Sequence, residues 1–427
     1  MLMDTKQYIP RLIDPKVTEY LSAFGSICIE GPKGCGKTIT SLQHCNSSFP
    51  LDNPVHNFNN RNLALMDPSF ILEGDTPRLI NEWQEAPAIW DAVRYAVDQR
   101  GEKGQFILTG SSTPKHKGIL HSGAGRIATL KMRPLSLYKS GVSSGKISLQ
   151  DMFSKQPSPV LTGEVSLHLL IEHIICGGWP ENVGTDLNQA KLFPLHYIET
   201  MIADDINKLE GVIRDLNKIR LVLNSLARHE SRTASNRAMQ RDIKAYDGED
   251  INEETIAEYL TLFERMFVLD NQKPFKTNVR LSLRVKQSEK RHFSDPSLAC
   301  ALLGATEESL LGDLETLGFL FKALCVRDLT IYAEANDAKV FHYQDYNDNE
   351  IDAVVEMRDG SWGAFEIKLG AIQIDDAAKN LLRIKASIEK DPKGKPPKVL
   401  CIICGLTNAA YARPDGVYVV PITALKN

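Results

Sequence analysis

One segment constrains this chain more than any other. Gly31-Pro32-Lys33-Gly34-Cys35-Gly36-Lys37-Thr38 fits the pattern G-x-x-x-x-G-K-[ST] and follows a short apolar run, Ser26 to Glu30. A strand that enters such a loop and leaves it as a helix turns successive backbone N–H groups toward one point, and the helix adds the positive end of its dipole. Gly31, Gly34 and Gly36 let the backbone curl that tightly. Lys37 is then expected on the β- and γ-phosphates of a nucleotide, and Thr38 on its Mg²⁺. The ligands implied are ATP and Mg²⁺, with Gly31, Pro32, Lys33, Gly34, Cys35, Gly36, Lys37 and Thr38 as the cradle.

The surrounding pattern agrees. From residue 25 to about 136, short apolar runs alternate with helical stretches, which predicts a parallel sheet wrapped by helices. The strands are expected at Ser26 to Glu30, Arg78 to Asn81, Gln105 to Thr109 and Ala128 to Met132. Hydrolysis also needs an acid beside Mg²⁺ and a group that activates water. Asn81 stands at a strand end where an aspartate would serve the metal, and its neutral amide lacks the charge that favours Mg²⁺. Glu82, next to it, is the expected water-activating carboxylate. The strand ending in Thr109 leads into Gly110-Ser111-Ser112, whose hydroxyls either sense the γ-phosphate or cap the turn. Arg126 follows a glycine-containing loop and has two readings: a transition-state charge, supplied in cis or from a neighbouring subunit, or a surface arginine.

With 427 residues, about three domains are expected. A composition of 43% hydrophobic and 24% charged residues supplies a core for each, and a net charge of -4 excludes a chain that is basic throughout. Met1 to Pro10 carries Asp4, Lys6 and Gln7 where a signal peptide would need an apolar run. Val399 to Leu406 is far shorter than the run of about 20 residues that spans a bilayer. The eight cysteines lie scattered in apolar segments, as reduced thiols do in a cytoplasmic protein. No membrane partner is expected.

The boundaries read as 1–210 for the nucleotide domain with a helical appendage, 211–293 for a middle part and 294–427 for the rest. The appendage comprises Val165 to Cys176 and Leu192 to Leu209, joined by the turn Gly177-Gly178-Trp179-Pro180. From Ile219 to Asp270 three helices are expected, the last being Glu253 to Met266 with Ile256, Tyr259, Leu260, Phe263 and Phe267 on one face. Three short helices followed by an extended stretch predict a winged-helix-like middle. The window Lys273 to Arg291 holds Lys273, Lys276, Arg280, Arg284, Lys286, Lys290 and Arg291 against one acid, Glu289, and is the candidate contact for DNA or RNA.

A second constellation lies near the C-terminus. Ile351 to Met357 and Gly363 to Leu369 read as paired strands, with Asp352 near the start of the first and Glu366-x-Lys368 on the second. Residues i and i+2 share a face, so Glu366 and Lys368 project together. Asp352 and Glu366 are expected to hold a divalent cation while Lys368 steadies a nucleophile or phosphate, and Glu315, on a long helix expected from Ser309 to Arg327, would complete the acidic cluster.

The motifs GPKGCGKT, LINEWQEAP, FILTGSS, SGAGRI, MRPLSLYKSG and ICGGWPE, in that order, resemble the prokaryotic AAA-type ATPases that carry a C-terminal domain of unknown function. That family usually shows Asp-Glu where this chain has Asn81-Glu82. The C-terminal constellation resembles the PD-(D/E)xK nuclease fold. The resemblance implies an α/β chain: an AAA-like parallel sheet domain, a helical, winged-helix-like middle and a nuclease-like α/β domain. It implies a slow Mg²⁺-dependent ATPase acting as a nucleotide-dependent switch on nucleic acid, with homo-oligomers as a further expectation. The rival reading is an ATP-gated regulatory or partner-docking protein in which neither site turns over appreciably.

Overall fold

The structure is a computed structural model that describes residues 8–113, 120–156, 158–206, 214–275, 288–346, 349–390, 392 and 394–427. Its residues group into two compact units. Of the described residues, the first contains those up to Pro134 together with Leu262–Val268, and the second contains those within Leu135–Ile206, Arg214–Thr261 and Leu269–Asn427.

The first unit is built on five strands: β1 (Ser26–Glu30), β2 (Ser47–Pro50), β3 (Arg78–Asn81), β4 (Phe106–Gly110) and β5 (Ile127–Lys131). Every pairing is parallel and the order is β2-β3-β4-β1-β5. The near-continuous burial of β1, β3 and β4 is what helices on both faces of a parallel sheet produce. One face packs Ile80, Leu108 and Phe106 with Trp83, Trp90 and Val93. The other packs Ile27, Ile29, Leu79 and Ile107 with Val17. β2 escapes sequence recognition because Ser-Ser-Phe-Pro is a polar edge strand ending in proline.

The second unit carries a seven-stranded mixed sheet. Its strands are β7 (Val160–Leu161), β8 (Lys339–Gln344), β9 (Glu350–Glu356), β10 (Trp362–Gly370), β11 (Val399–Leu406), β12 (Ala409–Ala412) and β13 (Tyr418–Pro421). They run in the order β7-β12-β13-β11-β10-β9-β8. β9 and β10 are antiparallel, and β10 and β11 are parallel. The helix Leu314–Ala335 precedes β8, and the helix Ile374–Glu389 connects β10 to β11. A separate two-stranded sheet pairs β6 (Ile147–Ser148) with β14 (Leu425–Lys426).

The helices Leu167–Cys176, Leu192–Thr200, Leu216–Arg228, Asn236–Tyr246 and Glu253–Arg265 form the middle of the chain. A π-helical turn, Met201–Asp205, follows the second of these. The stretch after Glu253–Arg265 pairs antiparallel with residues near 290 through the bridges Leu269↔Phe293 and Gln272↔Lys290. Of the basic window, Lys276, Arg280, Arg284 and Lys286 lie outside the described residues. The helix expected as Ser309 to Arg327 is two helices, Glu307–Gly312 and Leu314–Ala335. Asp313 separates them and accepts a hydrogen bond from the Thr316 backbone as N-cap of the second.

Candidate functional site

The loop between β1 and the helix Lys37–Leu42 has the geometry that its glycines allow. Gly36 sits at φ 100°, in the left-handed region. A Cβ on Gly31 would lie 2.1 Å from the Met132 carbonyl oxygen. The buried Lys37 donates from Nζ to the carbonyls of Gly31 (2.8 Å) and Pro32 (2.9 Å). Arg11, also buried, donates to the Cys35 carbonyl at 2.8 Å and steadies the loop from behind. Lys33 is exposed on the same loop.

Because the sheet is parallel, the ends of β3 and β4 arrive beside this loop. Asn81 Oδ1 accepts hydrogen bonds from the hydroxyls of Thr38 (2.7 Å) and Thr109 (2.8 Å). Asn81 Nδ2 donates to Asp52 Oδ1 at 3.2 Å. Glu82 stands at φ 57°, a left-handed conformation that costs a non-glycine residue free energy and is typical of functional sites. Its backbone N–H donates to Thr109 Oγ1 at 3.2 Å, and its Oε2 accepts from Ser111 Oγ at 2.8 Å and from the Gln84 side-chain amide. Sequence reasoning placed Asn81, Glu82, Thr109 and Ser111 in this neighbourhood. It missed Asp52 and Gln84, because the strand that delivers Asp52 was not recognised.

The donor set fits a magnesium nucleotide. The Thr38 hydroxyl spends its proton on Asn81, which leaves its lone pairs for a cation. Glu30, at the end of β1, is pushed up to about 7 by burial, against the opposing pull of Lys131 and Lys37.

Arg126 is elsewhere. It immediately precedes β5, and its backbone carbonyl accepts from Ser26, the first residue of β1. Its guanidinium pairs with Asp98 at 2.8 Å. Phosphate sites on parallel sheets form at the carboxyl ends of strands, so Arg126 lies at the wrong end, about five residues or roughly 16 Å away along the strand. The cis reading of Arg126 is therefore corrected.

In the second unit, the register that pairs Phe365 with Ala353 sets Glu366 opposite Asp352. Lys368 Nζ lies 2.7 Å from Glu366 Oε2 and 3.8 Å from Asp352 Oδ2, so the three expected residues do meet. Glu315 does not join them. It is exposed in the first turn of its helix and pairs with Arg232 at 2.9 Å. The same helix instead sends Lys322, whose Nζ donates to Asp352 Oδ1 at 2.7 Å. The buried Lys290 pairs with Glu350 and lies 3.8 Å from Asp352 Oδ1. Asp352 Oδ2 accepts from the Ile367 backbone at 2.9 Å, and Glu366 Oε1 accepts from Asn380 at 2.9 Å. Each of the four carboxylate oxygens thus has a donor. Burial opposes ionisation of Asp352, but Lys322, Lys290 and Lys368 outweigh it and hold that carboxyl well below its usual range. Burial and the neighbouring Asp352 raise Glu366 to about 7. Among the described residues no three His, Cys, Asp or Glu side chains converge as a metal-binding group.

The order β2-β3-β4-β1-β5, with the phosphate loop after β1 and Asn81-Glu82 at the end of β3, supports a P-loop nucleotide-binding domain. Residues 24–140 match the family model described as AAA domain. Residues 167–309 match a domain of unknown function (DUF8612), and residues 317–425 match another (DUF4143). Among curated proteins, an uncharacterized protein of Mycobacterium bovis and one of Mycobacterium tuberculosis are each 23% identical over 350 residues, covering 80% of this chain and 70% of theirs. A solved structure, the Walker-type ATPase paby2304 of Pyrococcus abyssi, is similar at a TM-score of 0.42 and 13% identity, over 68% of this chain and 94% of that one. Among the described residues no helix is long and apolar enough to cross a membrane.

Proposed function

We propose that the chain is a Mg²⁺-dependent ATPase that works as a nucleotide-controlled switch, with a C-terminal sheet that docks a partner and does not cut nucleic acid. The observation that carries the first half is the hydrogen-bonded line Thr38–Asn81–Thr109–Glu82–Ser111, which joins the phosphate loop to the ends of β3 and β4. In this reading Lys37 and the loop N–H groups hold the β- and γ-phosphates, and Thr38 and Asn81 serve the magnesium. Bound magnesium supplies charge neutralisation at the phosphates. Glu82, held by Ser111 and Gln84, takes the proton of the attacking water. Arg126 remains available only to the phosphate site of a neighbouring copy. Lys37→Ala should lower ATP affinity by at least about a hundredfold, as loss of a charge-assisted phosphate contact implies. Calorimetry that finds equal affinity for the variant and the wild type would remove the phosphate loop from the mechanism.

The second half departs from the nuclease reading. The chain order of long helix, β8, β9, β10, helix and β11 favours a PD-(D/E)xK-like sheet, with Asp352, Glu366 and Lys368 in the corresponding places. Against cleavage stands Lys322. A cation-free pair of buried carboxylates would repel, but here ammonium groups already neutralise it, and a divalent ion would have to displace them. Duplex DNA and RNA incubated with the protein in Mg²⁺ or Mn²⁺ should therefore remain uncut. Nicking that disappears in Lys368→Ala would restore the nuclease assignment, and with it the reading of a switch acting on nucleic acid.

A further inference from the structure

We propose that Asp52 supplies the negative charge that position 81 lacks, so that Asn81 and Asp52 act together as the acidic group beside Mg²⁺. The inference rests on the ATPase reading and names a further positioning residue within it. Asp52 lies two residues beyond β2, the neighbour of β3. Pro50 is in register with Asn81, and the Leu51 N–H donates to the Asn81 carbonyl, so the chain delivers Asp52 directly beside the Asn81 side chain.

The orientation of that amide follows from its partners. Two hydroxyl groups, from Thr38 and Thr109, converge on Oδ1, and the opposite end faces a carboxylate. The reversed amide would set its carbonyl oxygen against Asp52 Oδ1, acceptor against acceptor. Asn81 therefore keeps one task of an aspartate at this position, which is to accept the Thr38 proton and turn that hydroxyl's lone pairs outward. It cannot supply charge. Its other end grips a residue that can, and a single amide group separates the Asp52 carboxylate from the Thr38 hydroxyl.

Asparagine at 81 and aspartate at 52 are thus complementary. An aspartate at 81 would face Asp52 with no proton between them, and the two charges would repel. For this reason Asn81→Asp alone is not the improvement that the sequence suggests. Moving the charge from 52 to 81 while exchanging the amide the other way preserves both the hydrogen bond and the total charge.

ATP binding to the full chain can be measured calorimetrically in EDTA and again in Mg²⁺, for the wild type, Asp52→Asn, Asn81→Asp and the double exchange. Asp52 is exposed, so its replacement leaves the fold intact. In EDTA, Asp52→Asn should bind ATP at least as well as the wild type, because it removes a negative charge near the phosphates, whereas Asn81→Asp should bind more weakly. Asp52→Asn should lose about tenfold or more of the tightening that Mg²⁺ gives the wild type, the scale of one charge acting on a divalent ion at short range. Asn81→Asp should gain nothing over the wild type, and the double exchange should recover the tightening. Equal Mg²⁺ tightening in Asp52→Asn and the wild type would overturn the proposal, as would loss of EDTA binding in Asp52→Asn, which would make Asp52 part of the loop's framework. Failure of the wild type to bind ATP under either condition would instead overturn the nucleotide reading itself.

Discussion

Glu82→Gln should keep its affinity for ATP while losing a factor of about 10²–10⁴ in turnover, the usual range for a general base. Among the described residues the hydrogen bonds of this side chain go to Ser111 and Gln84 and not to the phosphate loop. Its Oε2 is held by Ser111 and Gln84, and its backbone N–H by Thr109. Glutamine has the same shape and still offers an oxygen to the Ser111 hydroxyl, so the network survives and only the capacity to accept a proton is lost. Stopped assays of phosphate release, set beside calorimetric affinities, separate the two effects. A variant that turns over at the wild-type rate would show that another group activates the water. A variant that no longer binds would show that Glu82 shapes the nucleotide pocket.

The other large effect is expected far from the phosphate loop. Arg327→Met should cost the second unit about 3–5 kcal/mol, the penalty for breaking a buried ion network from one side. Arg327 and its partners Asp295 and Asp328 are almost wholly inaccessible. The guanidinium donates to Asp295 Oδ2 at 2.7 Å and, through Nε and Nη2, to Asp328 Oδ1 at 3.0 and 2.7 Å. Those carboxylates in turn accept from the backbone N–H groups of Gly178 and Leu137 at 3.0 and 2.8 Å. Methionine fills the volume but leaves two buried carboxylates without the cation that pairs with both of them. Arg327→Lys should recover only part of the loss, because an ammonium cannot span both carboxylates as the planar fork does. Urea unfolding, read in the transition that belongs to the second unit, gives the comparison. A loss below about 1 kcal/mol would place the network among the weak ion pairs of exposed surfaces.

Much of the nucleotide site is legible in the sequence because its parts are local. Four of the five strands announce themselves as apolar runs, and the phosphate loop, Glu82 and Ser111 lie at their ends. What fails is what depends on neighbours in space. β2 gives no apolar signal, so Asp52 has no visible reason to matter. As a finger acting in cis Arg126 misleads, because a glycine-rich loop suggests one although its place before a parallel strand puts it at the other end of the sheet from the phosphate loop. At the second constellation, alternation correctly pairs Asp352 with Glu366 and Lys368, since strand periodicity is strict. The third acid fails for helical reasons. Asp313 caps a new helix, which leaves Glu315 in its first turn, seven residues or about 10 Å along the axis from Lys322. A lysine on an apolar helix ordinarily reads as a charge reaching for solvent, and nothing in the chain's order shows that Lys322 reaches a buried carboxylate instead.

The turn that carries Glu82 continues directly into Trp83, which is 2% exposed and lies 4.9 Å, ring to ring, from Trp90. A Cβ on Gly110, at the end of β4, would come within 2.8 Å of the Trp83 indole nitrogen. Any displacement of the β3 and β4 ends that accompanies nucleotide exchange or hydrolysis must therefore disturb the packing of that indole. The protein carries its own fluorophore one residue from its proposed base, and tryptophan emission offers a label-free way to follow the nucleotide cycle in real time.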